Sequence, residues 1–200
     1  EGDFALTIIR NAQTYNDSNY VAGLLVPGPV FLNRLRLGKP VIIIGDGTSL
    51  WSLVHRDDAG PAFAAAAGNP RTYGKAYNVA GEEWLTWETI VRMTAEAMQA
   101  PPIAPVHLPS DLLARLLPNL RGAVWCDLNF KFDNIFDVSD AKRDLGYRYT
   151  ITWQEGVRRI LSAHQSRGLL SGDGQDPLYD AIISAWEDLT LAMQRRVAGI

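Results

Sequence analysis

The sequence is short of cysteine, of unbroken apolar stretches and of net charge. One cysteine, Cys126, in 200 residues excludes an internal disulfide and any multi-cysteine zinc site. No run approaches the ~18 apolar residues a helix needs to cross a bilayer. The formal net charge is −3, so no global basic field exists to attract nucleic acid or anionic lipid. The three histidines have no second histidine or cysteine close by, and no metal site is expected. The chain opens Glu1-Gly2-Asp3-Phe4, with no methionine and no signal-peptide pattern. A cytoplasmic setting is expected, with neither nucleic acid nor membrane as a partner.

What is present is an ordinary globular composition, 47% apolar and 20% charged. Phe4 to Ile9 and Val41 to Ile44 are continuous apolar, β-branched runs, the pattern of strands buried on both faces. The polar stretch Asn11 to Tyr20 reads as a loop, and Gly23 to Pro29 as a turn. A further short strand is expected at Leu53-Val54, followed by a helix over 59–67 with Asp57 or Asp58 as its N-cap. Ala76 to Val79 is a third strand, and Ile103 to Leu108 is strand-like. Helices are expected after the caps Thr86, Ser110, Ser139, Thr152 and Asp176. Ser171 to Gln175 reads as a linker, and the last helix carries Ile182, Trp186, Leu189 and Met193 on one stripe. Strands alternating with helices give an α/β class.

Several segments then occur in a telling order. Thr7-Ile8-Ile9-Arg10 is followed by Tyr15, and Gly38-Lys39-Pro40 by Gly45-Asp46-Gly47, Trp51, Val54-His55 and Asp58. Next come Gly74-Lys75-Ala76-Tyr77-Asn78-Val79 with Gly81, Thr86-Trp87, Phe136-Asp137, Ala141-Lys142, Leu145-Gly146-Tyr147 and Trp153. As an ordered set this resembles the C-terminal portion of an extended short-chain dehydrogenase/reductase, the NAD-dependent epimerase/dehydratase family. The resemblance implies a partial Rossmann-type parallel sheet, late strands only, plus a small mixed α/β substrate-binding cap. Residues 1–80 would hold late Rossmann strands and a helix interleaved with cap segments (about 16–45). Residues 81–170 would be the cap, and 171–200 a linker and terminal helix.

Two features of that family are expected to lie outside this chain, in a missing Rossmann half. One is the Gly-rich turn that lets backbone approach a pyrophosphate. No two glycines stand three apart, and neither Gly45/Gly47 nor Gly172/Gly174 is followed by a glycine three later. The other is a catalytic Tyr with a Lys four residues on, whose positive charge lowers the phenol's pKa. Four residues beyond the seven tyrosines stand Asn19, Leu24, Tyr77, Gly81, Ile151, Trp153 and Ile183, with no lysine among them. No catalytic residue is therefore expected here, and the chain alone is expected to be inactive. NAD or NADP is implied only by the resemblance.

By the same resemblance, Arg10, Asn11 and Ala12 follow the first strand toward the nicotinamide, and Gln13, Tyr15, Trp51 and His55 wall the substrate pocket. Family members place proline where Asn11 stands. Sugar-nucleotide enzymes of the family have arginine where Trp51 stands; an indole cannot pair with phosphate charge, which favours a smaller or more apolar substrate. Trp51 alternatively packs between domains, and His55 is alternatively a hydrogen-bonded structural histidine. Cys126 reads as a buried inert thiol. The leading expectation is the substrate-binding half of an NAD(P)-dependent oxidoreductase, epimerase or dehydratase acting on a carbonyl/alcohol. The alternatives are a non-catalytic binding or scaffold protein and one subunit of a split enzyme. Expected partners are a small-molecule substrate, the missing Rossmann half or a partner chain, and a second copy in a homodimer.

Overall fold

The computed structural model describes residues 4–22 and 24–199. Gly23, in the expected turn, and the opening Glu1-Gly2-Asp3 lie outside the described residues. The architecture is mixed α/β, with three small sheets and eight α-helices among the described residues.

The Val-Ile-Ile-Ile run forms strand β3 (Val41–Ile44), buried along its whole length as expected. It pairs in parallel with β7 (Pro105–Leu108), Val41 opposite Pro105. Strand β4 (Leu50–His55) is longer than Leu53-Val54 alone. It takes β2 (Gln13–Tyr15) in parallel on one side and β6 (Trp84–Thr86) antiparallel on the other. Strand β1 (Ile8–Asn11) pairs in parallel with β5 (Ala76–Val79).

Two expectations about the first segment are corrected. The strand spans Ile8–Asn11 rather than Phe4 to Ile9, and its surroundings leave it largely exposed: Phe4 is 73%, Leu6 51% and Ile8 47% accessible. Among the described residues only β5 pairs with it, so its other hydrogen-bonding edge meets no strand. The stretch after it is not all loop either, because Gln13–Tyr15 finds a partner in β4. Polar composition did not reveal that pairing, which comes from a strand 40 residues away.

Helices close each crossover between parallel strands. They are α1 (Gly28–Arg36), α2 (Arg56–Ala66), α3 (Trp87–Ala97), α4 (Ser110–Leu116), α5 (Arg121–Trp125), α6 (Ser139–Leu145), α7 (Trp153–Ser166) and α8 (Pro177–Ala198). Thr86, Thr152 and Asp176 cap α3, α7 and α8 as expected, each accepting from a backbone N–H in the first turn. Ser110 and Ser139 do not cap: the Ser110 hydroxyl is buried without a partner, and the Asp137 carboxylate receives the Ser139 N–H instead.

The cap of α2 is also not an aspartate. His55 occupies the N-cap position, and its Nδ1 accepts the Asp57 N–H at 3.2 Å. Asp58 is thereby freed for a structural task. Its buried carboxylate accepts the N–H groups of Thr150 and Ile151, both at 2.8 Å, and the Thr150 hydroxyl at 2.6 Å. It thus fastens the segment before α7 to the start of α2. Arg34 does the same for the terminal helix. Its buried guanidinium bonds the Pro40 and Gly174 carbonyls and Asp180, and lies 4.6 Å over the Tyr179 ring. The Tyr179 hydroxyl in turn accepts the Ile42 N–H at 2.6 Å, so α8 starts on the edge of β3.

The main core gathers Phe31, Leu32, Val41 to Ile44, Ile90, Trp153 and Ile160. A second cluster joins α2, β5 and α6 through Ala59, Ala62, Tyr77, Val79, Ala141 and Leu145. Asp144 secures that second cluster, receiving Lys75, the Tyr77 hydroxyl and Arg143. Hydrogen bonds from Arg143, then from Lys75, hold its carboxyl well below the usual carboxylate range.

Replacing Asp58 by asparagine puts an NH2 donor in front of three donors, so Asp58→Asn and Asp58→Ala should each cost about 2–4 kcal/mol in urea unfolding. A loss below half of that for the asparagine variant would contradict the account. Because the folded-state pKa of Asp144 is depressed, its contribution is complete above the unfolded carboxylate range and is lost as pH falls through the folded value. Asp144→Asn should therefore lower Tm at neutral pH, with the gap to wild type closing in strong acid. A gap that stays constant with pH would count against this role.

Candidate functional site

One carbonyl organises the region beside β2 and β4. Residues 126–130 form a single π-helical turn after α5, in which the Lys131 N–H reaches back to the Cys126 carbonyl. Such turns leave backbone groups outside the regular ladder and are frequent at functional sites. Here the freed group is the Phe130 carbonyl, which accepts the indole N–H of Trp87 at 2.8 Å and that of Trp51 at 3.3 Å. The rings of Trp51, Trp87 and Phe130 pack with centroids 5.0 to 5.6 Å apart. The chain beyond the turn is stitched onto β4: the Ser49 hydroxyl donates to the Lys131 carbonyl, and the Leu50 and Asn134 backbones exchange contacts with Asp133 and Leu50.

On the solvent side of this knot lies an open groove of about 490 Å³. Gln13 of β2, Asn19, Arg121 and Trp125 of α5, Asn129 and the Phe130 ring line it. The Arg121 guanidinium lies 6.0 Å from the centre of the Trp125 ring, which steadies the charge over an aromatic face. Gly122 is required for α5 to reach this place: a Cβ there would collide with the Leu24 carbonyl. The groove therefore offers an exposed cation, three carboxamides and aromatic walls, a set suited to a small ligand with a polar end and an apolar body.

The residues expected from the sequence divide around it. Gln13 is on the groove wall. Tyr15, Trp51 and His55 are not on it: they are buried at 1%, 2% and 0% exposure, with Tyr15 against His55 and Trp51 against the Phe130 ring. The His55 Nε2 donates to Asp17 at 3.0 Å while Nδ1 caps α2, and Tyr15 packs edge-on against both His55 and Trp153. The Tyr15 hydroxyl is buried without a partner against Gly156, where a Cβ would clash with it. Burial first, then the charges of Glu83 and Asp58, push that phenol well above its ordinary pKa, so it keeps its proton at neutral pH.

Arg10, Asn11 and Ala12 stand at the far end of β1. Arg10 is exposed, Ala12 is buried, and the Asn11 amide turns back to the Thr14 hydroxyl at 2.7 Å. The Cys126 thiol is fully buried, and burial pushes its pKa up to about 12. His107 pairs with Glu88 at 3.1 Å away from the groove.

Sequence reasoning missed Arg121, Trp125 and Asn129. Their spacing of four and four places them on one helical face, and that periodicity was the available signal. It also passed over a Gly-x3-Gly-x-Gly spacing at Gly168, Gly172 and Gly174. Those glycines follow helix α7 and precede α8 with no strand before them, so they are not the strand–turn–helix that holds a pyrophosphate. The described residues thus hold no strand–turn–helix glycine cradle for a dinucleotide.

Replacing the Trp87 indole by phenylalanine removes the shorter bond to Phe130 and should cost about 1–2 kcal/mol. Trp51→Arg, which buries a guanidinium beside the second indole, should cost more than Trp87→Phe in urea unfolding. Equal or greater stability of Trp51→Arg would contradict the arrangement.

No family model matches the chain. Among curated proteins it is 26% identical over 138 residues to 2'-dehydrokanamycin reductase of Streptomyces kanamyceticus, covering 69% of this chain and 38% of that protein. It is 30% identical over 169 residues to the chloroplast stem-loop binding protein of 41 kDa b of Arabidopsis thaliana, covering 82% and 43%. The chain thus spans less than half the length of these relatives. Among solved structures, the epimerase Mth375 of Methanothermobacter thermautotrophicus superposes with a TM-score of 0.63 at 17% identity, over 84% of this chain and 45% of that one. UDP-glucuronic acid 4-epimerase of Bacillus cereus, in complex with UDP-glucuronic acid and NAD, gives 0.58 at 18% identity, over 80% and 45%. In fold, the chain matches about half of a Rossmann-like epimerase, and in sequence it is similar to a reductase more than twice the length of the matched part.

Proposed function

We propose that this chain is the substrate-binding portion of an NAD(P)-dependent oxidoreductase, epimerase or dehydratase acting on a small carbonyl/alcohol compound. The observation that carries the reading is the groove itself. Gln13, Arg121, Trp125 and Asn129 line it in a chain whose fold matches about 45% of the length of two epimerases, one of them in complex with NAD. When bound, the nicotinamide supplies or accepts the hydride; its pyrophosphate cradle and the Tyr-x3-Lys pair belong to a Rossmann half outside these 200 residues. The open edge of β1 supports that division, because a two-stranded parallel pair with Phe4, Leu6 and Ile8 exposed lacks the cover that parallel sheets ordinarily have.

Within this chain the tasks are binding and orientation. Arg121, held over Trp125, provides charge-assisted hydrogen bonds to an oxygen of the substrate. The Gln13 and Asn129 carboxamides both donate and accept, so they fix a carbonyl or hydroxyl without committing to one oxidation level. The Trp125 and Phe130 rings cover the apolar body. Trp51 leaves no arginine at the position that sugar-nucleotide enzymes use for a diphosphate, which favours a substrate without a nucleotide. Soluble, cytoplasmic action fits the absence, among the described residues, of any helix long and apolar enough to cross a membrane.

The similarity to a stem-loop binding protein favours a second reading, a non-catalytic nucleic-acid-binding shell. The net charge of −3 counts against it. A thermal-shift screen of small aldehydes, ketones and alcohols separates the two. A ligand of the groove near 100 times its Kd should stabilise the wild type by about 2.7 kcal/mol. Arg121→Ala and Trp125→Ala should lose most of that response while keeping the unliganded Tm. Reduced nicotinamide mixed with the chain and the hit compound should not be consumed. Turnover by the chain alone would contradict the proposal, and retention of a stem-loop RNA on a filter at low salt, with no small-molecule response, would establish the second reading.

A further inference from the structure

Among the described residues, Arg121 is the one charged side chain that lines the ligand groove, and no carboxylate faces it there. The acids close by are already engaged: Asp127 of the π-helical turn pairs with Lys131 at 2.6 Å, and Asp17 pairs with His55 at 3.0 Å. Arg121 joins no ion pair or hydrogen bond among the described residues, and its guanidinium is left with the Trp125 ring. A chain of net charge −3 thus carries a locally positive groove. Cations beside other grooves are placed differently. Arg36, between α1, α3 and α7, donates to the Gly172 carbonyl at 2.7 Å and to Asn33 at 3.2 Å. Lys131, besides holding Asp127, shares its groove with Asp46 and Asp111.

The neutral polar groups around Arg121 are uncommitted too. Asn11, Asn16, Asn33, Asn69, Asn78 and Asn134 each hydrogen-bond another part of the chain through their carboxamides. The Gln13, Asn19 and Asn129 carboxamides have no such partner among the described residues, and all three line this groove. The charge count then selects the ligand. One guanidinium matches one carboxylate, whose two oxygens accept its parallel N–H groups. A phosphate monoester carries close to two negative charges at neutral pH, and the groove has a single cation to meet them. A neutral ligand would take water from the guanidinium and return no opposite charge.

We propose that the substrate of this groove is a monocarboxylate, an oxo or hydroxy acid with an apolar body, whose carboxylate is held by Arg121. The carboxamides of Gln13, Asn19 and Asn129 then serve its carbonyl or hydroxyl, and the Trp125 and Phe130 rings its apolar body. This rests on the reading of the groove as the substrate site and adds the charge that the site selects.

Calorimetric titration of the chain with matched ligands tests it. The probes are phenylglyoxylate, mandelate and benzoylpropionate, each against its own primary amide, with phenyl phosphate as the doubly charged probe. The acids that bind should do so about ten-fold or more tightly than their amides, and phenyl phosphate should not exceed them. Arg121→Gln keeps a donor and loses the charge, so it should bring acid and amide within about two-fold of each other. Arg196→Gln removes the same charge from α8, outside the groove lining, and should leave the preference for acids in place. Amides that match their acids, or phenyl phosphate binding more tightly than every acid, would overturn the proposal while leaving the groove a ligand site. So would a preference for acids that survives Arg121→Gln or is lost equally in Arg196→Gln. If neither member of any pair binds, the groove reading itself fails, and this proposal with it.

Discussion

Two indole N–H groups converge on the carbonyl of Phe130, and the candidate site depends on that convergence. Trp51 comes from β4 and Trp87 from the first turn of α3, so a single backbone oxygen ties a strand, a helix and the π-turn together. With that oxygen fixed, helix α5 presents Arg121 and Trp125, and the π-turn Asn129, to the groove that Gln13 of β2 also lines. A second contact holds α5 down from outside, where Gly122 lets the Leu24 carbonyl pass at a distance no side chain would allow. The groove is thus the exposed surface of a knot whose strength lies underneath it.

The same logic explains why the polar residues behind the wall are not free for chemistry. His55 uses both ring nitrogens structurally, one to start α2 and one to hold Asp17. Asp58, released from capping, spends its carboxylate on residues 150–151. Glu83 receives the Tyr149 hydroxyl and the Trp153 N–H, which sets the start of α7. Each is buried or half-buried and satisfied, so these groups give rigidity to the platform rather than acid–base function.

Much of this was legible in the chain, for physical reasons that differ by element. The β3 run and the Thr86, Thr152 and Asp176 caps are local signals, and local signals survive folding. The ordered segments from Thr7 to Trp153 carried the α/β class and the likeness to reductases and epimerases. What the sequence concealed was set by distant partners. Gln13–Tyr15 becomes a strand only because β4 accepts it, and His55 displaces two aspartates as a cap because Asp58 is claimed by Thr150. The apolar start, Phe4 to Ile9, announced a buried strand. Its exposure arises because, among the described residues, β5 alone pairs with it. Arg121, Trp125 and Asn129 are hard to single out in the chain, because their spacing of four equally suits an ordinary solvated helix face.

The central claim is that this chain binds the substrate while the dinucleotide is held elsewhere. Titrating the chain with NADH and NADPH and following the intrinsic fluorescence of the reduced nicotinamide tests it most directly. The account predicts no saturable change with either nucleotide up to millimolar concentration, because no strand–turn–helix glycine cradle is present. Saturable binding in the micromolar range, with one nicotinamide nucleotide per chain, would contradict it.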